Sequence, residues 1–251
     1  MTLRTNYQRL QENLEYLKLK QFALHLDETI EQAATHSLSH VDWLLRLSDY
    51  EVEIKKQNVV NSMVKVSNFP HLKTLADFDF SFQPQINEAQ IRNLSSLGFM
   101  EHAKNVVFLG TSGVGKTHLA TSLGIESAKS RRSTYFIKCH DLIQNLKRAK
   151  AESKLEKRIK HYARYQLLII DEIGYLPLDP GDANLLFQIV DQRYEKKSTI
   201  VTSNINFDEW GKILHDERVA NAIIDRLLHH AEVISITGDS YRLRHHLSKS
   251  E

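Results

Sequence analysis

A glycine-rich segment in the middle of the chain constrains the fold more than any other feature. It spans residues 110–117, reads Gly-Thr-Ser-Gly-Val-Gly-Lys-Thr, and follows the apolar run Asn105-Val-Val-Phe-Leu109. Glycines at these positions let backbone N–H groups turn inward around phosphate oxygens, and the following helix points its N-terminus at the anion. The pattern predicts a P-loop between a buried strand and a helix. The alternative is an ordinary glycine-rich turn.

Two side chains at the end of the same segment are predicted to bind phosphate and Mg²⁺. Lys116 is placed to reach the outer phosphates of a nucleotide, and the Thr117 hydroxyl is placed to ligate Mg²⁺. The predicted nucleotide-binding residues here are Gly110, Thr111, Ser112, Gly113, Val114, Gly115, Lys116, Thr117 and His118.

A second apolar run ends in two acidic residues. Leu167-Leu-Ile-Ile170 has the continuous hydrophobicity of a parallel strand buried on both faces, and Asp171 and Glu172 follow it. This arrangement is typical of a Walker B strand. Asp171 would hold Mg²⁺, and Glu172 would act as the general base that polarises a water against the terminal phosphate. The pair predicts an ATPase, and the alternative is two solvated acids at a strand end.

Two further polar residues are candidates for catalysis. Asn204 follows the apolar strand 198–202, where a parallel sheet gathers catalytic groups, and would orient the attacking water. The alternative is a strand-capping amide in a turn. Arg226 lies among apolar neighbours in a helical stretch. It either pairs with Asp225 or another nearby acid, or acts as an arginine finger in the adjacent subunit's nucleotide site, which requires a homo-oligomer.

Composition limits the class of protein. The 251 residues are 41% hydrophobic, enough for a substantial core, and 33 basic residues nearly balance 31 acidic ones. The single cysteine, Cys139, excludes an internal disulfide framework and a multi-cysteine zinc site. The sequence contains no apolar run of membrane-spanning length and no apolar N-terminal signal. We therefore expect a cytoplasmic protein without a membrane partner.

Periodicity divides the chain into two predicted domains at an aromatic stretch punctuated by proline. Residues 1–66 show only helical signal, and Ser39 with Asp42 has the spacing of a helix cap. They predict a small all-helical domain for assembly or for contact with DNA or a partner. Residues 67–251 alternate apolar strands with helices. They predict an α/β fold with a five-stranded parallel sheet, whose fifth strand is Ile234-Ser-Ile236.

Residues 141–165 carry the strongest charge bias in the chain. Eight basic residues stand against three acidic ones in what is predicted to be a long helical segment. A basic stripe on this segment would contact DNA phosphates in a salt-sensitive, weakly specific way, and the alternative is a solvated helix face. The candidate DNA-binding residues are Lys147, Arg148, Lys150, Lys154, Lys157, Arg158, Lys160 and Arg164.

The thirteen histidines show no clear metal-binding pattern. His229-His230 and His245-His246 are adjacent pairs, and neighbours on a helix are not expected to face one ligand. The sequence therefore assigns no metal other than Mg²⁺.

Taken together, the motifs resemble those of the IstB-like transposition helpers, relatives of the DnaC helicase loaders in the initiator clade of AAA+ ATPases. The most specific shared segments are Gly113-Val-Gly-Lys-Thr-His-Leu-Ala120, Ile170-Asp-Glu-Ile-Gly-Tyr175, Thr202-Ser-Asn204, Asp225-Arg-Leu-Leu-His229 and Gly238-Asp-Ser-Tyr-Arg242. The resemblance implies an AAA+ fold with ATP and Mg²⁺ as cofactors. It also implies that Arg226 is the arginine finger and that Arg242 contacts the nucleotide, whereas the residues alone leave Arg242 open as a nucleotide sensor, a DNA contact or part of a tail.

The resemblance further implies an ATP-dependent regulator that assembles on double-stranded DNA and recruits and stimulates a cognate transposase, without cutting DNA itself. Two other classes stay open. A DnaC-like helicase loader would favour single strands and a replicative helicase, and a nucleotide-gated DNA-binding scaffold would show negligible hydrolysis. Glu172 argues against the scaffold, because a general base is needed only for hydrolysis.

Overall fold

The computed structural model describes residues 3–176 and 178–242, with side chains from residue 6 onward. Two compact units emerge, Met1–Ser62 and Met63–Glu251. This division falls inside the last turns of the third helix, a few residues before the predicted boundary between residues 66 and 67.

The first unit is all helical, as the periodicity of its sequence predicts, and it is built from three helices. They are α1 (Leu3–Tyr16), α2 (Lys20–His36) and α3 (His40–Val66). The Ser39 hydroxyl accepts a hydrogen bond from the backbone N–H of Asp42 at 3.1 Å, which confirms the predicted cap before α3. The buried core consists of Leu14, Leu26 and Leu47, surrounded by half-buried aromatic and aliphatic side chains.

The second unit is organised around a sheet of five parallel strands, which confirms the predicted α/β class. The strands are β1 (Asn105–Gly110), β2 (Thr134–Lys138), β3 (Leu167–Ile173), β4 (Ser198–Ser203) and β5 (Ala231–Ile236). Their spatial order is β2-β3-β4-β1-β5. The P-loop strand β1 and the Walker B strand β3 are therefore separated by β4, which brings Asn204 between them.

Helices cover both faces of the sheet. They are α4 (Glu88–Ser95), α5 (Gly98–Glu101), α6 (Lys116–Lys129), α7 (Cys139–Ala151), α8 (Leu155–Ala163), α9 (Ala183–Arg193), α10 (Trp210–Ile213) and α11 (Glu217–Leu228). Alternate strand residues enter two core layers: Phe108 and Ile169 pack with α4 and α6, whereas Leu168 and Val201 pack with α7, α9 and α11. Both faces of the sheet are covered by helices, which explains why its central strands are continuous apolar runs in the sequence.

The basic segment forms two helices instead of one. Helix α7 ends at Ala151 because Ser153 adopts a left-handed conformation (φ 56°), and the N–H of Lys154 then donates to the Ala149 carbonyl at 2.7 Å. The chain restarts as α8 at Leu155. The candidate DNA-binding residues are thus divided between two consecutive helices.

Arg193, at the end of α9, is fully buried and bonds to backbone instead of to an acid. Its guanidinium donates to the carbonyls of Ala163 (3.1 Å), Tyr165 (2.7 Å) and Ser198, and to the Thr199 hydroxyl (3.0 Å). One side chain therefore joins the end of α8 to the start of β4. Its five donors in a planar fork suit this set of acceptors better than an ammonium would.

Replacing Arg193 by Ala is expected to lower the free energy of unfolding by about 3 kcal/mol or more, because several buried acceptors lose their donor and a cavity remains. Arg193→Lys should fall between wild type and Arg193→Ala, since an ammonium has fewer donors. Urea unfolding of the three proteins measures both effects. A loss below about 1 kcal/mol in Arg193→Ala would show that the network contributes little.

Candidate nucleotide site

A cavity of about 640 Å³ opens at the carboxyl ends of the strands, beside the P-loop. This volume lies within the range of small-molecule binding sites. Its walls come from segment 70–83, from the P-loop and the first turn of α6, from the ends of β2, β3 and β4, and from residues 241–242.

The backbone of the P-loop requires glycine at its turns. Gly113 and Gly115 have φ angles of 86° and 103°, in the left-handed region. A Cβ on Gly113 would lie 2.1 Å from the Ser240 hydroxyl oxygen, and one on Gly115 would lie 2.6 Å from the Phe78 ring. Backbone strain and close neighbours both exclude larger residues, which leaves the loop N–H groups free to turn toward a phosphate.

Lys116 begins α6 and lies beneath the loop. Its ammonium donates to the carbonyls of Gly110 (2.6 Å) and Thr111 (2.7 Å), and it forms no ion pair with any acid among the described residues. Burial lowers the pKa of Lys116 from its ordinary value. An anionic phosphate in the cavity would supply the missing countercharge.

Thr117 and Asp171 meet at the base of the cavity. The Thr117 hydroxyl donates to Asp171 Oδ1 at 3.0 Å, and the Thr202 hydroxyl donates to the same oxygen at 2.6 Å. Asp171 is 1% exposed, and burial raises the pKa of its carboxyl. Hydroxyl and carboxylate oxygens are the ligand types that Mg²⁺ prefers, so the predicted pair fits this cation.

Glu172 is directed to the cavity by an irregularity in β3. The strand register shifts between Ile170 and Ile173, Glu172 has a φ of 63°, and its N–H donates to the Thr202 hydroxyl at 2.9 Å. Its carboxylate lies 2.9 Å from the Lys138 ammonium at the end of β2. The hydrogen bond that the Lys138 ammonium donates to Glu172 raises the pKa of Lys138. The candidate general base is thus held by a lysine that the sequence did not single out.

Replacing Lys138 by Met is expected to raise ATP turnover without DNA by about two- to fivefold. A general base at Glu172 would first have to leave its ion pair with Lys138, and an exposed pair of this kind contributes up to about 1 kcal/mol. The matched control is Lys147→Met, which removes a lysine paired with Asp179 and Asp182 away from the cavity. Equal or lower turnover in Lys138→Met would mean that the lysine does not restrain the base.

Three other predicted residues line the same cavity. Asn204 has a buried Oδ1 without a hydrogen-bond partner, an unsatisfied acceptor suited to a water molecule. Arg242 also lines the cavity and follows Tyr241, whose N–H donates to the Gly113 carbonyl at 3.1 Å. His118 contacts the Thr74 carbonyl through Nε2 at 2.8 Å, and so joins α6 to the segment that forms one wall.

Arg226 does not line the cavity of its own chain. Its Nε donates to Asp191 on α9 at 2.7 Å, and its guanidinium lies 4.7 Å from the centre of the Phe187 ring. Within a single subunit Arg226 therefore forms the predicted ion pair, and its partner is Asp191, another nearby acid, and not Asp225. A catalytic role requires a second subunit.

The basic candidates also lie away from the cavity. Lys147 pairs with Asp179 and Asp182, while Lys154 and Lys160 pair with acids of their own helical region. The others are exposed and form no ion pair with an acid in the described part of the chain; they are Arg148, Lys150, Lys157, Arg158 and Arg164.

Three contributors to the cavity were not predicted from the sequence: Lys138, Thr202 as a partner of Asp171, and segment 70–83. Lys138 directly follows an apolar strand, so the rule that identified Asp171 at a strand end could have found it. Segment 70–83 has no periodicity, so its aromatic and proline residues predict only a border between domains.

Comparison with known proteins decides the family. The family model described as IstB-like ATP binding protein matches residues 12–249. The chain belongs to this family. The IstB-like chain is 59% identical over 247 residues to an insertion sequence IS232 ATP-binding protein of Bacillus thuringiensis subsp. berliner, covering 98% of this chain and 99% of the relative. It is 43% identical to an insertion sequence IS5376 ATP-binding protein of Geobacillus stearothermophilus, covering 94% of each.

Solved structures agree with the AAA+ fold of the IstB-like chain. The DnaC helicase loader superposes with a TM-score of 0.52 and 27% identity, covering 69% of this chain and 98% of that one. AMPPCP-bound DnaA from Aquifex aeolicus gives a TM-score of 0.58 at 18% identity, covering 72% and 56%, which supports the fold alone. The family and fold predicted from the motifs are confirmed.

No helix among the described residues has the length and apolar character needed to cross a bilayer.

Proposed function

We propose that this protein hydrolyses ATP with Mg²⁺, assembles on double-stranded DNA in its ATP-bound state, and there recruits and stimulates the transposase of an insertion sequence. The observation that carries the proposal is the convergence of Glu172, Asn204 and Asp171 on the cavity that contains the P-loop lysine. A site that only binds nucleotide would need neither the Glu172 carboxylate nor the unsatisfied acceptor of Asn204 in its lining.

Each residue has a distinct task in hydrolysis. Lys116 neutralises the outer phosphates, and Thr117 with Asp171 holds Mg²⁺, which supplies further charge neutralisation when bound. Glu172 accepts a proton from the attacking water, and the free acceptor of Asn204 orients that water. Arg242 follows Tyr241, whose N–H donates to the P-loop carbonyl of Gly113, and it would contact the nucleotide bound in its own subunit.

The exposed positive charges of α7 and α8 support DNA as a partner. The unpaired basic residues of α7 and α8 are exposed, while those paired with acids are already neutralised. Phosphate contacts by such residues would be largely independent of sequence. Relatives named for insertion sequences cover nearly the whole chain, and this favours a transposase as the protein partner.

The alternative is a DnaC-like helicase loader, which the structural likeness to DnaC keeps open. Fluorescence anisotropy separates the two functions. Labelled duplex and single strands of one sequence are titrated with protein, with ATP, ADP or no nucleotide, at two salt concentrations. We expect tight, ATP-dependent binding to duplex. Preference for single strands, or binding indifferent to nucleotide, would contradict the proposal and favour a loader.

The basic residues are tested by a triple variant, Arg148→Ala with Lys157→Ala and Arg158→Ala. Each lost phosphate contact should reduce the slope of log affinity against log salt by about one, so a reduction of up to about three is expected. The matched control is Lys154→Ala with Lys160→Ala, which removes lysines already paired with Glu152 and Glu156. An unchanged slope in the triple variant would exclude this surface as the DNA contact.

A further inference from the structure

Three side chains of types that can bind a metal ion lie close together in a part of the sequence well after the P-loop. Glu195 follows α9, and His229 and His230 follow α11. The Oε1 atom of Glu195 lies 3.6 Å from Nδ1 of His229 and 3.6 Å from Nε2 of His230. All three side chains are exposed, and all their ligand atoms lie within 4.8 Å of one another. No role in nucleotide or DNA binding has been assigned to this trio.

The two adjacent histidines lie at the C-terminal end of α11. The helix ends at Leu228, and His229 is its C-cap residue, whose N–H donates to the Asp225 carbonyl at 3.0 Å. The two rings lie with centroids 4.0 Å apart and present different nitrogens to the Glu195 carboxylate, so the sequence-based expectation that adjacent histidines do not face one ligand is wrong for this pair. Glu195 turns toward them through a left-handed backbone conformation (φ 56°).

We propose that Glu195, His229 and His230 form a binding site for a divalent transition metal ion of the Zn²⁺ class. Two imidazole nitrogens and one carboxylate oxygen suit Zn²⁺, whereas Mg²⁺ prefers oxygen ligands alone. Because the ligands are exposed, water can complete the coordination. The Tyr194 hydroxyl lies 2.6 Å from His229 Nδ1, so this hydrogen bond must give way when the metal binds.

A bound ion would join two elements that already pair. It would tie the turn after α9 to the end of α11, three residues beyond Arg226, whose ion pair with Asp191 links the same two helices. The expected consequence is resistance of the α9–α11 pair to unfolding, seen as a Zn²⁺-dependent rise in melting temperature.

The test uses full-length, untagged, nucleotide-free protein titrated with Zn²⁺ against a chromophoric chelator. We expect each chain to compete with the chelator for one Zn²⁺ ion, at a site that Mg²⁺ does not occupy. The affinity for Zn²⁺ should be at least about tenfold weaker in Glu195→Gln and in His230→Ala. Both residues are exposed, so the variants should keep the metal-free melting temperature of the wild type. The matched control, His245→Ala with His246→Ala, removes the other adjacent pair and should bind normally.

Binding of Co²⁺ gives an independent readout, because its visible absorption reports nitrogen and oxygen ligands directly. The spectrum should appear in the wild type and in the control, and be lost or altered in Glu195→Gln. Equal Zn²⁺ affinity in the wild type, Glu195→Gln and His230→Ala would overturn the proposal. Loss of binding in the His245/His246 control alone would equally overturn it.

Discussion

Glu172→Gln is expected to lower ATP turnover by about 10²- to 10⁴-fold while leaving ATP binding nearly unchanged. The amide has the shape of the carboxylate and can still contact Lys138, but it cannot accept a proton from water. The residues proposed to hold phosphate and Mg²⁺ are not altered. Phosphate release measures turnover, and a fluorescent ATP analogue measures binding.

The matched control is Glu152→Gln, an exposed acid that pairs with Lys154 outside the cavity. It should keep wild-type turnover. Because Glu172→Gln binds ATP without consuming it, its DNA-bound assemblies should also persist longer than those of the wild type. Turnover in Glu172→Gln close to that of the control would remove this residue as the base.

Arg226→Ala is expected to lower the turnover of DNA-bound assemblies by about a thousandfold, with little effect on ATP binding. Arg226 lies outside the cavity of its own chain and is paired with Asp191, so a catalytic role would place it at a neighbouring subunit's nucleotide and would require it to leave Asp191. Opening a half-exposed ion pair costs up to about 1 kcal/mol, whereas a thousandfold rate gain corresponds to about 4 kcal/mol. The gain in transition-state stabilisation therefore exceeds the cost of separating Arg226 from Asp191.

Mixing variants tests whether Arg226 acts between subunits. Arg226→Ala retains a complete cavity but lacks the finger, while Glu172→Gln retains the finger but lacks the base. Both are expected to bind ATP and assemble, so turnover should reappear in the mixture at subunit contacts where each supplies what the other lacks. A mixture on DNA that is no more active than its components would exclude action in trans.

Features set by local sequence were predictable. A parallel strand buried on both faces must be apolar throughout, so β1, β3 and β4 could be located directly. The P-loop turns need glycine, which fixes their place in the chain. Asn204 could be placed at the end of its strand, but its position between β1 and β3 depends on strand order, which one sequence does not specify.

Features set by tertiary neighbours were not predictable in the same way. Lys138 could be located at a strand end, but its pairing with Glu172 could not, because that depends on the register in which β2 pairs with β3 and sets Lys138 opposite Asp171. The break between α7 and α8 occurs at Ser153, a residue without glycine's freedom, so no local signal marks it. Segment 70–83 has no periodicity, yet it closes one wall of the cavity.

The most direct test of ATP-driven assembly on DNA is the mass of the complex formed on a short duplex of defined length. Analytical ultracentrifugation would compare wild type and Glu172→Gln with ATP, with ADP and without nucleotide. We predict several subunits per duplex with ATP, a more persistent complex for Glu172→Gln, and few or no bound subunits with ADP. The same mass in ATP and ADP, or a single subunit per duplex throughout, would contradict ATP-driven assembly.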